Sequence, residues 1–530
     1  MNFIIEDENE NEEGREVIVE DIGGGVYPSQ ICPHIFNSPA GLFAPLGATV
    51  EEIKGTLAGP FFACCSECDS STENWVCLSC KNTGCSRYVK SHGENHFMQS
   101  LFADAVHPLA LSRSDLSVWC YACSSYVAHE RLAPLICASE QIKFPENPIR
   151  QRQLSRSFPV GFALQPAGVQ EKHVHPENKC LERPVRVAAT LTHLENKALL
   201  KELVTIPVNP ALGSATALLR RVHTQDYIDA VRSGQLAPQP DIYQNEHTSA
   251  AAESAVESLA SLVSAVCTGQ HGLRAGFALL RPPGHHAEAE RAGGFCFFNA
   301  IAVAAALARE VHGFRVAIVD WDIHQGNGAQ QIFYRDPAVL TISIHKHCGV
   351  HESLDGGLQE VQYDASGLED RVGEGPGEGF NVNVPLGCQV NGDEEYLYVF
   401  DRVVLPVLAH FQPDLILIAA GMDAGVGDQH LPVGGYALTT QGFAGMTHRL
   451  CALCPRVVAS IEGGYDIKGL ADASEAVVTA LLQSSRAYAE GHVAPAAAAA
   501  TFGKTALEPE TVAIVDRVVA HIAKYWPGLK

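Results

Sequence analysis

Downstream of about residue 173 the chain carries short, nearly unbroken apolar runs: Phe277–Leu280, Val316–Val319, Val339–Ile344, Leu415–Ala420 and Val457–Ile461. They are too brief for helices and lack the strict alternation of a strand with one wet face, which predicts parallel strands covered on both sides. Longer segments of helical period lie between them, Ala250–Val266 and Asn299–Val311 among them. This alternation predicts an α/β domain around a central parallel sheet, over residues 173–485. Each run leads straight into a polar or glycine-rich stretch. In open α/β sheets ligands bind just beyond the carboxyl ends of the strands, so these stretches should converge there.

The remainder is patterned differently. Residues 1–25 hold nine acidic residues against Arg15 and end in Gly23-Gly24-Gly25, a composition that predicts a disordered tail. Residues 26–130 contain nine of the 17 cysteines, between Cys32 and Cys123, and few long apolar runs. So polar a segment predicts a small fold held by metal. Residues 131–172, with scattered prolines and the basic Arg150, Arg152 and Arg156, read as a linker; the patch suits a solvated loop or a weak nuclear-import signal. In 486–530, Ala494–Ala500 is low in complexity, and Glu510–Lys524 carries an apolar stripe (Val512, Val515, Val519, Ile522) that predicts a helix packed on the domain.

Composition narrows the function classes. No run of about 18 apolar residues is present, which argues against a membrane-spanning helix. The acidic start differs from a secretory signal, so a reducing compartment, nucleus or cytoplasm, is expected, with cysteines as thiols or metal ligands. A net charge of −23, from 37 basic and 60 acidic residues, argues against a sequence-independent grip on nucleic acid and suits a basic partner such as a lysine-rich tail.

The cysteine-rich segment has three C-x2-C knuckles, Cys65/Cys68, Cys77/Cys80 and Cys120/Cys123, and six further candidates, Cys32, His34, Cys85, His92, His96 and His107. Twelve ligands complete three tetrahedral zinc sites and leave Cys64 over. Cys451-x2-Cys454, by contrast, reads as helix packing. Cys-Pro-His at 32–34, Trp75-Val-Cys-Leu-Ser-Cys80, Cys85-Ser-Arg-Tyr88, His107-Pro-Leu109 and Trp119-Cys-Tyr-x-Cys123 closely resemble the ubiquitin-binding zinc finger of ubiquitin-specific proteases and one deacetylase subgroup. The resemblance implies a pocket for the free Gly-Gly terminus of ubiquitin. Arg87 would pair with the carboxylate, and Trp75, Tyr88, Trp119, Tyr121 and Tyr126 would wall the slot. Trp75 and Tyr126 suit packing of the small domain equally well.

The strand ends downstream carry their own chemistry. They read Arg281-Pro-Pro-Gly-His285-His286, Asp320-Trp-Asp322-Ile-His324-Gln-Gly-Asn327, Gly421-Met-Asp423 and Glu462-Gly-Gly-Tyr465. An Asp-x-His pair with a distant Asp makes a three-ligand metal site with an open position, the pattern of catalytic zinc. Adjacent histidines with carboxylates nearby offer general acid and base groups, and a tyrosine on a Gly-Gly turn can aim its hydroxyl inward.

Together with Gly293-Gly-Phe295-Cys-Phe-Phe-Asn299, these motifs resemble a histone deacetylase of class II type over roughly 173–485. The resemblance implies the arginase–deacetylase fold, a three-layer α/β sandwich with about eight parallel strands, here preceded by a small α+β finger. It implies that Asp322, His324 and Asp423 hold Zn2+, and that His285 and His286 handle protons during hydrolysis of N-acetyl-lysine, in either order. Asp320 would orient His285, Asn327 would orient His286, and the Tyr465 hydroxyl would stabilise the oxyanion. Phe295 would flank the lysine channel, and a monovalent cation (K+) would sit near Asp320, Asp322, His324, Ser343 and Ile344. Acetylated proteins, histones or others, and the ubiquitin C-terminus are the partners implied, with no nucleic acid and no membrane.

Three departures stand out. Gln325 replaces a second histidine, the second channel phenylalanine is missing from His345-Lys-His-Cys-Gly-Val-His351, and Gln429-His-Leu-Pro432 differs from the usual loop. They leave acyl-chain and peptide preference open. An acetylpolyamine or other small-molecule amidohydrolase would call for an acidic gatekeeper where Leu431 stands. A non-catalytic ubiquitin adaptor would call for lost metal ligands or a replaced Tyr465.

Overall fold

The structure, a computed structural model, describes residues 50–86, 89–102, 106–127, 132–143, 158–175, 180–239, 241–347, 350–352, 358–360, 365–388, 391–428, 436–489, 507–526 and 529. The acidic tail, Cys32, His34, Arg87, Tyr88, the arginine patch, Leu431 and Ala494–Ala500 lie outside them. The chain divides into two units, one holding residues 63–129 and the other residues 130–530 together with 40–62.

The first unit is a five-stranded antiparallel sheet of β1 (Asn74–Cys77), β2 (Thr83–Cys85), β3 (Leu109–Ser112), β4 (Val118–Cys120) and β5 (Ser125–Val127), in the order β2-β1-β3-β4-β5, with the helix His92–Ser100. Val76, Leu78, Phe97, Leu109, Leu111, Leu116, Val118 and Val127 are its larger buried apolar residues, a small core of the kind that metal commonly supplements.

The second unit is built on eight strands: β6 (Val160–Leu164), β7 (Leu203–Thr205), β8 (Ala275–Leu279), β9 (Val316–Asp320), β10 (Val339–Lys346), β13 (Asn381–Leu386), β15 (Leu415–Ala420) and β17 (Val457–Ile461). Their order is β13-β10-β9-β15-β17-β8-β6-β7, and every neighbouring pair is parallel. Four minor strands pair off this sheet, β11 (Val350–Glu352) with β12 (Leu358–Glu360) and β14 (Asn391–Gly392) with β16 (Tyr436–Ala437). Successive side chains of a strand point to opposite faces, and both faces are dry. Ala317, Val319, Ile416 and Ile418 join one core with the helices Thr440–Leu453, Ile467–Ala489 and Pro509–Ile522. Val316, Ile318, Leu415 and Leu417 join the other with Thr248–Cys267 and Ala300–His312. Thr248–Cys267 is the one described helix long and apolar enough to cross a membrane, and 83% of its apolar window is buried in this core.

Three expected boundaries move. The stretch 131–172, expected as a linker, contains the helix Ala133–Lys143 and the core strand β6, hydrogen-bonded between β8 and β7. The helix Val50–Phe62, expected within the finger, runs against Ala133–Lys143 in the second unit and buries Ile53, Leu57 and Phe61. The helix Ile467–Ala489 continues past residue 485, and Pro509–Ile522 buries Ile514, Val515, Val518, Val519 and Ile522.

Candidate active site and metal centres

Four strands lie side by side in the middle of the sheet, β9-β15-β17-β8. Each ends in one of the four motifs, so topology alone brings the four loops together at the carboxyl edge. Asp322, His324 and Asp423 meet there with their ligand atoms within 4.8 Å of one another. His324 Nδ1 stands 3.1 Å from both Asp322 Oδ1 and Asp423 Oδ2. Both carboxylates are fully buried, and burial together with Asp322 pushes the Asp423 carboxyl up to about 7. Two carboxylates crowded out of water need a cation, and two oxygens plus one imidazole with a side left open are the donors of a catalytic zinc site. The residues therefore fit the metal. Backbone amides of Gly463 and Ile323 donate to Asp322 Oδ2 (2.8 Å) and Asp423 Oδ1 (3.0 Å), fixing both carboxylates. A Cβ at Gly463 would fall 2.4 Å from Asp423 Oδ2, so the turn passes too close for any side chain.

His285 and His286 lie with ring centres 4.0 Å apart and their planes tilted by 44°. His285 Nδ1 pairs with Asp320 Oδ2 at 2.9 Å, and His286 Nδ1 with Asn327 Oδ1 at 2.7 Å. Asn327 Nδ2 in turn donates to Glu288 at 2.9 Å, which fixes its oxygen toward His286. Burial disfavours the charged form of both rings. Asp322 and Asp320 override it at His285, whose pKa is held well above the ordinary value. At His286, burial and the neighbouring His285 drive the pKa well below it. Their environments push the two pKa values in opposite directions.

Tyr465 follows the turn Glu462–Gly464, and its ring meets the edge of Phe295 at 5.8 Å. Phe295 has φ +66°, a left-handed conformation costly for a bulky residue. It is held by Asp241, whose carbonyl accepts from Phe295 N (3.2 Å) and whose carboxylate accepts from Gly294 N (2.5 Å). Ser343 pairs in register with Asp320 across β10 and β9, and its hydroxyl contacts Gly326 N and His345.

Beneath the site lies a buried charge network that sequence reading missed. Arg186 donates to the carbonyls of Gly464 and Glu462 and lies 4.9 Å from the Tyr465 ring centre. Arg281, just after β8, and Arg186 share the carboxylate of Glu182. Glu462 Oε2 accepts from the amides of Gly284 (2.6 Å) and His285 (3.1 Å). Nothing in an isolated Glu182-Arg-Pro-Val-Arg186 distinguishes these charges from a solvated helix start. Asp241 was likewise without a signal, while Glu462 lay inside a motif already noted.

In the finger unit Cys65, Cys68, Cys85 and His92 form one group, and Cys77, Cys80, His96 and His107 a second. Cys68 and Cys85 sulfurs are 3.9 Å apart, close to the ~3.8 Å edge of a tetrahedron with Zn–S near 2.3 Å. Cys80 Sγ–His96 Nε2 is 3.1 Å and His96 Nε2–His107 Nδ1 is 3.2 Å. Cys120 and Cys123 stay together as a knuckle, with Cys123 N 3.4 Å from Cys120 Sγ. Trp75, Trp119 and Tyr126 share one sheet face over Ala110 and Ser112, with Trp119–Tyr126 at 4.9 Å and Trp75–Tyr126 at 6.5 Å. Tyr121 stacks on Phe97 at 5.5 Å and lines a small cleft with Trp75, Gly84, Gly93 and His107.

Residues 180–481 match the family model described as a histone deacetylase domain. Residues 65–132 match the zinc finger of ubiquitin hydrolases and other proteins. The chain is 35% identical over 378 residues to Histone deacetylase 18 of Arabidopsis thaliana, covering 68% of this chain and 51% of that protein. It is 35% identical over 430 residues to Histone deacetylase 9 of Homo sapiens, covering 74% of this chain and 41% of that protein. The chain thus spans about half the length of the curated relatives it matches. A crystal structure of the HDA15 HD domain superposes with a TM-score of 0.59 at 33% identity, over 70% of this chain and 96% of that one.

Proposed function

Because this chain belongs to the histone deacetylase family, we propose that it hydrolyses N-acetyl-lysine in histones or other proteins, using the site at the carboxyl edge of β9, β15, β17 and β8. The observation that carries this reading is the meeting of a three-donor metal site, a histidine pair oriented by Asp320 and Asn327, and a buried tyrosine at one edge of the sheet. Asp322, His324 and Asp423 would hold Zn2+, which supplies Lewis-acid polarisation of the amide carbonyl and acidifies a water from pKa about 15.7 toward 7.

The chain's own groups do the rest. His286, neutral and with Nδ1 committed to Asn327, keeps Nε2 as an acceptor for the proton of the attacking water. His285, with Nδ1 fixed by Asp320 at 2.9 Å, is placed to supply the proton for the departing lysine amine. Tyr465 donates its hydroxyl to the oxygen that becomes negative, a contribution of about 2.7–4 kcal/mol for one such donor. Phe295 offers an apolar wall to the lysine methylenes. The K+ expected near Asp320, Asp322, His324 and Ser343 is carried by the resemblance alone.

Two variants assayed side by side test the assignment. Tyr465→Phe should lower turnover of an acetyl-lysine peptide by about a hundredfold with zinc content unchanged. Asp423→Asn should lower both. Near-normal turnover of Tyr465→Phe would sink the oxyanion role.

For the finger we propose capture of the free ubiquitin C-terminus. Aromatic rings ranged over the small Ala110 and Ser112 support a slot that admits glycine only. Nucleus and cytoplasm are the compartments proposed.

A further inference from the structure

The turn that carries Tyr465 is gripped from several sides. Gly463 N donates to Asp322, Gly463 O accepts from Met422 N at 3.1 Å, and Arg186 holds the carbonyls of Glu462 and Gly464. These contacts fix the turn before Tyr465. At Tyr465 itself the backbone is held by a carboxylate: Asp428 Oδ2 accepts from Tyr465 N at 2.6 Å and from Asp466 N at 3.0 Å. Both amides lead into the 23-residue helix Ile467–Ala489, where the helix dipole favours a carboxylate. Charge-assisted bonds of this length are stiff. Asp428 is anchored in turn, its own amide bonded to Gly425 O (3.2 Å) and Gly425 N to Met422 O (3.0 Å). The loop after β15 therefore supplies the metal ligand Asp423 and, five residues on, a brace for Tyr465. Gly464, next to Tyr465, stands at φ +111°, a conformation a side chain would strain, and a Cβ there would meet Met422 Cβ at 3.0 Å.

From this geometry we infer that Asp428 is a positioning residue for Tyr465, setting the direction of the phenol through two backbone amides without touching substrate. The inference rests on the proposed role of Tyr465. Misplacing a catalytic group by about 1 Å can cost a hundredfold in rate.

The test is a double-mutant cycle in the full-length chain: Asp428→Ala and Asp428→Asn, each made in the parent and in Tyr465→Phe. Asp428→Ala in the parent should lower kcat by about tenfold or more, with KM within about twofold and zinc content unchanged. In the Tyr465→Phe background it should change kcat by less than about twofold, because the group it positions is already gone. Asp428→Asn keeps one acceptor oxygen and should fall between, which also serves if the alanine variant does not fold. Equal losses in both backgrounds, or loss of zinc, would overturn the inference. If the parent turns over no acetyl-lysine peptide, the functional reading fails on its own. A crystal structure of Asp428→Ala then decides the inference, and an unmoved Tyr465 ring would reject it.

Discussion

Replacing Glu182 by glutamine isolates the electrostatics of the buried network. Its carboxylate lies 2.8 and 2.6 Å from Arg281 Nε and Nη2, 3.2 Å from Arg186 Nη1 and 3.3 Å from the Tyr243 hydroxyl. Both guanidiniums are fully buried. Burial alone would raise the Glu182 pKa, yet Arg281 and Arg186 outweigh it and bring it down to about 2. Glutamine keeps the shape and an acceptor but removes the charge, stranding two cations out of water. Breaking a buried pair in this way costs about 3–5 kcal/mol, a large share of the about 5–15 kcal/mol that holds a domain together. The double variant Glu182→Gln, Arg281→Gln strands one cation instead of two and should recover part of the loss. Urea unfolding followed by tryptophan fluorescence reads this out, since Trp321 is fully buried in the same unit. A Glu182→Gln stability within about 1 kcal/mol of the parent would refute the reasoning.

Acid should weaken the fold through two histidines. Burial lowers His173 and His223 to about 4 from an ordinary 6.5. The unfolded chain takes up protons first, so stability present above pH 6.5 is lost toward pH 4, on the order of 2 kcal/mol each between pH 7 and pH 5. His223→Gln should flatten this dependence, and an unchanged slope contradicts it. Elemental analysis should find about four zinc ions per chain, three in the finger and one catalytic, with about one lost in Cys77→Ser. A count of two or fewer contradicts the twelve-ligand reading. Arg87→Ala should weaken ubiquitin binding by about 2–5 kcal/mol, and ubiquitin lacking its last two glycines should not bind. Tight binding of the truncated form contradicts the pocket.

The central sheet was legible because strands buried on both faces leave unbroken apolar runs. Leu415–Ala420 and Val457–Ile461 coincide with β15 and β17, and the other runs differ from their strands by one or two residues. The strand β6, Val160–Leu164, escaped because it is flanked by Pro159 and Pro166 and leads into no chemical motif, so it blended into the proline-scattered stretch around it. Each of the four motifs could be placed at a strand end, but the adjacency of β9, β15, β17 and β8 is long-range information that no local pattern carries. The finger shows the same limit. Spacing marked each knuckle, yet His92 and His96, one helical turn apart on the same helix, serve different metal groups. Of the Glu182 network only Arg281 stood inside a motif already noted, since Glu182 and Arg186 look in sequence like the charges of any wet helix start.

The central claim meets its most direct test in acetate release from an acetyl-lysine peptide by the full-length chain. Turnover should be present in the zinc-loaded protein, vanish after chelation and return when Zn2+ is added back. Release that persists undiminished after zinc has been removed, or its absence from folded, zinc-loaded protein over a broad set of acetylated peptides, would contradict the account.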